Sequence, residues 1–246
     1  MTTPNPAPPA PGSVDWRNYY EWEAAHKRFL PGEEPSEHLR VDFVHRLLEG
    51  VSFQNPLDAG CGNGYLASRL AERVGGHSTG TDLSLARLKE ARVLFPAVRF
   101  TRASLFDQPF PDRSFDLVTA VEVVEHLESP PDALKELKRL SSRYVLVTVP
   151  YRGRLEILHC PHCNQSYYHD GHIQSFDEDR MKSLVQAAGL KLLKLEVYVP
   201  YYPPTRFPAT LLPAPLHKAA RGVLESLKLA RKTPGKYLGA LAERVD

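Results

Sequence analysis

From Leu57 onward, short apolar runs alternate with stretches in which apolar side chains recur every three or four residues. The runs are Leu57 to Ala59, Ser78 to Thr81, Val98 to Thr101, Phe115 to Val121 and Tyr144 to Val149. Between them the spacing predicts helices over Tyr65 to Val74, Ser84 to Phe95 and Asp132 to Leu140, the last entered through Pro130-Pro131. Runs apolar on both faces, each followed by a helix, predict βαβ units and a parallel sheet covered on both sides. A later helix from Glu178 to Ala188, closed by Gly189, leads to a strand over Leu190 to Val199, and Tyr237 to Ala242 is the last β-like run. Ahead of all this, Leu39, Phe43 and Leu47 at spacing four, closed by Gly50, predict a helix, preceded by Trp16, Tyr19, Tyr20 and Trp22. The expected fold class is α/β, a doubly wound sheet in a single domain.

The flanks read differently. Residues 1–13 hold five prolines and almost no large apolar side chain, so they cannot repay the entropy of ordering and are expected to be a disordered leader. Residues 14–50 are an N-terminal helical extension and 51–199 the core, with a Cys/His insertion at 151–175. Residues 200–246 hold a proline-rich segment, a basic amphipathic helix (Leu216, Ala220, Val223 and Leu227 against Lys218, Arg221 and Lys228) and the candidate last strand. That stripe is expected to pack within the chain or across a homodimer, with peripheral membrane contact less favoured. The chain of 246 residues carries a net charge of +2, and the basic excess falls in the C-terminal part. This is too little for a nucleic-acid footprint. Three cysteines, two of them in one C-x-x-C, do not make a disulfide framework, and neither a leader pattern nor a long apolar run is present, so a cytoplasmic location and no transmembrane segment are expected.

The chemistry begins at Leu57-Asp58-Ala59-Gly60-Cys61-Gly62-Asn63-Gly64, which leaves a strand and enters a helix. Glycines there let backbone approach a ligand, and Asp82, eighteen residues after Gly64, ends the second run, where a carboxylate can accept both hydroxyls of a ribose. The lesser and non-exclusive alternative for Asp82 is a cap for the helix that starts at Ser84. Cys61, between two loop glycines, reads as a packing residue. The loop resembles the first motif of class I S-adenosylmethionine-dependent methyltransferases, type 11 or ubiquinone-biosynthesis-like. Thr81-Asp82-Leu83-Ser84, Gln108 to Asp116 and Val121-Glu122-Val123-Val124-Glu125-His126-Leu127 match three later motifs in register. The resemblance implies a seven-stranded Rossmann-like sheet with an antiparallel last strand and S-adenosyl-L-methionine as cofactor. It places Asp58, Gly60, Cys61, Gly62 and Gly64 around the methionine part, and Asp82 with Leu83 at the ribose and adenine. Where many relatives have an Asp for the adenine amino group, this chain has Ala103-Ser104-Leu105, and Ser104 is the weaker substitute.

Glu122, Glu125 and His126 lie beyond the fourth strand, where a base would stand. The same E-x-x-E-H resembles the divalent-metal motif of ubiquinone-biosynthesis O-methyltransferases and of small-RNA 3′-end methyltransferases, with His172 the candidate later ligand; methyltransferases without a metal share the wording, and both readings stand. Glu125, His126 and His172 are the candidate catalytic residues. In the insertion, Cys160 and Cys163 followed by His169 and His172 form a tetrahedral zinc set, with His159 or His162 as substitutes. A structural zinc would hold a segment poor in apolar residues. Tyr198, Tyr201 and Tyr202 with Trp16, Tyr19 and Tyr20 are candidates for an acceptor wall or for core. The expected function is methyl transfer to a small-molecule acceptor; the rivals are a metal-assisted RNA 3′-end methyltransferase and a catalytically silent cofactor- or zinc-binding interaction module.

Overall fold

The computed structural model describes residues 15–26, 35–162, 164–199 and 236–245. Helices α1 (Trp16–His26) and α2 (Pro35–Leu47) precede the alternating part. This runs β1 (Pro56–Ala59), α3 (Tyr65–Val74), β2 (Ser78–Asp82), α4 (Leu85–Leu94), β3 (Val98–Arg102), β4 (Phe115–Val121), α5 (Pro130–Leu140) and β5 (Ser141–Pro150). A small hairpin follows, β6 (Ile157–His159) with β7 (Ser166–Tyr168), then α6 (Glu178–Ala187), β8 (Leu190–Tyr198) and β9 (Tyr237–Arg244). The predicted leader, the proline-rich segment, the basic helix, Tyr201 and Tyr202 lie outside the described residues, as does Cys163.

Seven strands form one sheet in the order β3-β2-β1-β4-β5-β9-β8. Strands β1 to β5 pair in parallel, and β9 runs antiparallel to both β5 and β8. From β1 the chain winds outward to β2 and β3, then returns to the other side at β4. The reversal opens a crevice at the carboxyl ends of β1 and β4, where doubly wound sheets bind ligands. The fold is thus the expected seven-stranded α/β sheet.

Period-two alternation along β5 shows how the sheet is buried on both faces. Val145, Val147 and Val149 point to one side, into a core with Leu134 and Leu137 of α5 and Met181 and Val185 of α6. Tyr144 and Leu146 point to the other, against Phe43, Val44 and Leu47 of α2 and Leu70 of α3. Burying side chains of this size contributes roughly 1.5 to 3 kcal/mol each. The approach of α2 depends on Gly239 in β9: a Cβ there would lie 2.5 Å from Leu47 Cδ1 and 2.8 Å from Phe43 Cε1. Helix α5 begins with two prolines and Asp132 and ends with Lys138 and Arg139, the order that its dipole favours. No described helix is long and apolar enough to cross a membrane.

Candidate active site

The glycine loop is held by backbone rather than by side chains. Gly60 and Cys61 donate their N–H groups to the Thr81 carbonyl at 2.7 and 2.8 Å, which binds the loop to the end of β2. Gly60 has φ +82°, and a Cβ on it would stand 2.5 Å from Val123 Cγ2, so both conformation and space demand glycine. Asp82 completes the arrangement: Oδ2 accepts from Gly62 N at 2.9 Å and Oδ1 from Ser84 N at 2.8 Å. The helix cap is Ser84, whose Oγ accepts from Arg87 N at 3.3 Å, so capping is not the task of Asp82. Each Asp82 oxygen keeps further acceptor capacity. Burial raises its carboxyl above the usual carboxylate range, opposed by the N–H groups of Ser84 and Gly62.

The loop bounds a cavity of about 300 Å³ lined by Asp58, Gly60, Cys61, Gly62, Glu122 and Arg40 among others. Asp58 is 2% exposed, accepts from Thr119 Oγ1 at 2.8 Å, and burial pushes its carboxyl up to about 7. Cys61 is buried in a cluster with Ala67, Leu88 and Phe100, and burial holds its thiol far above the range of a reactive cysteine. Gly64 and Leu83 occupy their expected places, the first just before α3 and the second just after β2. Ser104 bridges to Asp107, and Leu105 is buried in the main core. This loop is anchored by Arg139 of α5, which donates to the carbonyls of Gln108 (3.2 Å) and Phe110 (2.8 Å) and to Asp112.

Beyond β4 the arrangement changes. Glu122 has φ +55°, an unusual conformation for a residue with a Cβ, and accepts from Thr148 Oγ1 at 2.9 Å. Burial pushes its carboxyl up to about 7, opposed by the Arg40 guanidinium. Glu125 is 1% exposed, and neither of its carboxylate oxygens has a hydrogen-bond partner among the described residues. His126 Nε2 and His172 Nε2 lie 3.8 and 4.0 Å from Glu125 Oε1, and the two rings are 4.7 Å apart. Burial pushes the Glu125 carboxyl well up and His126 down to about 4, so both favour their neutral forms. One potential ligand atom from each of Glu125, His126 and His172 falls within 4.8 Å of the others. The segment carrying His172 is tied in by the N–H groups of Ile173 and Gln174, both 3.0 Å from the Glu125 carbonyl.

His172 therefore stands with Glu125 and His126. Among the described residues, Cys160, His169 and His172 do not form one ligand group. Cys160 lies in the β6–β7 turn, where its N–H donates to the Gln165 carbonyl at 2.8 Å, and His169 pairs with Asp170 at 3.2 Å. His159 has both ring nitrogens engaged, with Ser166 Oγ and Asn164 Oδ1. Of the aromatic residues, Tyr198 stacks on Phe43 at 5.0 Å within the core, whereas Tyr20 meets His126 edge to face at 6.3 Å.

Sequence reasoning missed the contribution of the N-terminal helices. Glu37 accepts from Asn63 Nδ2 at 2.5 Å, and His38 Nδ1 lies 3.0 Å from the Tyr65 hydroxyl, so α2 braces the glycine loop while presenting Arg40 to the cavity. The signal was available: Glu37 and Arg40 lie one turn apart on a helix whose apolar stripe, Leu39, Phe43 and Leu47, faces the core.

Residues 57–143 match the family described as Methyltransferase domain. Over 111 residues, 42% of its length, the chain is 35% identical to the ubiquinone biosynthesis O-methyltransferase of Alkalilimnicola ehrlichii, and over 126 residues, 48%, it is 34% identical to the chloroplastic tocopherol O-methyltransferase of Arabidopsis thaliana. It spans 43% and 36% of those two relatives' own lengths. Among solved structures, it resembles in fold the magnesium protoporphyrin IX methyltransferase of Synechocystis, with a TM-score of 0.59, 16% identity, and coverage of 94% of this chain and 98% of that one. The family match and the curated relatives are thus methyltransferases, and the family match falls on the part of the chain that carries the glycine loop, Asp82 and the Glu122–His126 segment.

Proposed function

We propose that this chain is an S-adenosylmethionine-dependent methyltransferase acting on a small-molecule acceptor. The observation that carries the reading is the cavity at the β1–β4 switch, whose charges complement the parts of that cofactor. Asp58 offers a carboxylate to the ammonium of the methionine part, Arg40 a guanidinium to its carboxylate, and Asp82 two oxygens to the ribose hydroxyls. Gly60, Cys61, Gly62 and Gly64 let backbone close on the ligand, while Leu83, Ser104 and Leu105 stand at the adenine end. The cofactor supplies a methyl group on sulfonium, open to in-line displacement, so the protein's task is alignment and removal of the acceptor's proton.

Glu125, His126 and His172 are the residues we assign to the acceptor end. A second reading, favoured by the orphaned oxygens of Glu125, is that these three hold a divalent cation. Two imidazoles and a carboxylate are a fitting donor set, and burial without hydrogen bonds is costly unless a cation compensates it. A bound cation supplies acidity to an acceptor hydroxyl. Zinc at the hairpin rests on the C-x-x-C of Cys160 and Cys163 alone, because His172 is placed elsewhere.

Titration calorimetry with S-adenosylhomocysteine, followed by transfer of labelled methyl groups to a panel of phenolic acceptors with and without chelator, tests the reading. Binding in the micromolar range and transfer to an acceptor are expected. No binding at millimolar ligand would overturn it.

A further inference from the structure

Helix α1 is held on the domain by charge rather than by an apolar core. None of its described side chains belongs to the three apolar clusters, whereas Phe43, Val44 and Leu47 of α2 are buried in one of them. Two acids fasten it to α4. The Glu21 carboxylate accepts from Leu85 N at 2.7 Å and Ala86 N at 3.0 Å, and pairs with Arg102 at 3.0 Å. The first N–H groups of a helix have no partner within it; Ser84 takes that of Arg87, and α1 supplies the acceptor for the two before it. Burial alone would raise the Glu21 carboxyl, but these N–H groups and the guanidinium outweigh it and hold it below the usual range. Two residues on, Glu23 forms an ion pair with Arg87, both side chains being largely buried at 14% and 24% exposure.

These fastenings reach the cavity at the glycine loop. Glu23 and Arg87 both line it, and a Cβ on Gly62 would lie 3.5 Å from Arg87 Nη1, so that guanidinium stands against the loop. Arg102, which pairs with Glu21, also donates from Nε to the Leu83 carbonyl at 2.9 Å. Ser84, whose N–H holds Asp82, directly precedes the two residues that Glu21 holds. The same short stretch therefore carries α1 on one side and Asp82 with the glycine loop on the other. While α1 is docked, Glu23 is part of the cavity wall; once α1 leaves, that part of the wall is gone and the first N–H groups of α4 turn to water. An element with few apolar contacts opens for much less than the free energy of global unfolding, and the lids of binding sites are elements of this kind.

We infer that α1 is a releasable wall of the cofactor cavity, latched by Glu21 on the start of α4, and that the methyl donor enters and its product leaves when this latch opens, α1 closing again over the bound ligand. The inference rests on the function proposed above. Glu21 lies outside the cavity lining, so Glu21→Ala loosens the wall without removing a group that faces the ligand. Both tryptophans of the chain, Trp16 and Trp22, lie on α1, so tryptophan emission follows this helix. Stopped-flow mixing of the full chain with S-adenosylhomocysteine, read by that emission, gives the rates of association and release. In Glu21→Ala both rates are expected to rise, release by about tenfold or more for the loss of charged hydrogen bonds, while the affinity read by calorimetry changes by less than the release rate. Glu21→Gln, which keeps an acceptor but offers no charge to Arg102, is expected to lie between, and it is the decisive variant if Glu21→Ala does not fold. Rates equal to wild type, a weakened affinity with an unchanged association rate, or emission that ignores a ligand bound by calorimetry would each overturn the latch while leaving the functional reading intact. A wild-type chain that binds no S-adenosylhomocysteine by calorimetry would overturn the functional reading itself, and the latch with it.

Discussion

The two ends of the crevice are built on opposite plans. At the β1–β2 end, the acid that matters is satisfied before any ligand arrives: Asp82 holds one N–H on each oxygen, and the glycine loop is fastened to Thr81 by backbone. At the β4 end, Glu122 sits in a left-handed conformation, Glu125 is buried with neither oxygen hydrogen-bonded, and two imidazoles crowd beside it. A pre-satisfied end costs less to keep ready and suits a ligand that is always the same. An unsatisfied end stores unfavourable burial that a bound partner relieves. On the proposed function, binding belongs to the first end and chemistry to the second.

The sharpest way to break that division is Glu125→Gln. Turnover should fall by about 10² to 10⁴, the usual range for loss of a proton-handling group, while affinity for S-adenosylhomocysteine changes by less than about twofold. Parallel turnover and calorimetry check this, and an equal loss in both would merge the two ends into one. Asp82→Ala should do the reverse at the binding end, weakening S-adenosylhomocysteine roughly ten- to hundredfold, about 1.5 to 3 kcal/mol, because two ribose hydroxyls lose a charged acceptor and Gly62 N its partner.

A pH series sharpens the same contrast. The Asp58 carboxyl stands at about 7 in the folded chain against an ordinary 3.8, raised by burial. Its contribution to the stability of the unliganded chain is therefore fully present below the unfolded value and lost as pH rises through about 7. The ligand's ammonium needs the ionised form, so affinity should climb about tenfold per pH unit up to about 7 and then level off, and Asp58→Asn should flatten the curve. Calorimetry between pH 5.5 and 8, a range of roughly one unit or more on each side of that value, reads it directly. The smallest effect is expected at the hairpin: Cys160→Ser should remove zinc, measured by metal analysis, and leave S-adenosylhomocysteine affinity unchanged, since Cys160 lies in the β6–β7 turn, outside the cavity lining.

The sheet was legible because parallel strands buried on both faces leave an unmistakable trace, such as Val145 to Val149, and because Gly60 and Asp82 serve local geometry that a single stretch of chain encodes. Tyr237 to Ala242 could be assigned as the seventh strand only by elimination. The hairpin of Ile157–His159 with Ser166–Tyr168 was not visible, since three-residue strands carry too little alternation to be read. The site was legible where its residues follow strands, and illegible where they come from helices distant in sequence. Arg40 reaches the cavity and Tyr20 the ring of His126 through tertiary packing, and no local pattern announces that. His172 was a candidate both for the zinc set, by its spacing from Cys160 and Cys163, and for the group with Glu125 and His126, and spacing alone could not choose between them; its Nε2 lies 4.0 Å from Glu125 Oε1.

The position of β9 has a consequence for how the chain is made. Its residues are the last of the sheet to be synthesised, yet it lies between β5 and β8, pairing with both. Until residues 237–244 leave the ribosome, β5 has an open hydrogen-bonding edge and β8 has no neighbour, although α5, α6 and the whole glycine-loop half can already be in place. Such a growing chain exposes an unpaired, apolar strand edge, the kind of surface that recruits other strands. The chain's exposure to misassembly is thus concentrated in the interval between translation of β8 and translation of β9, and the 38 residues that separate them set its length.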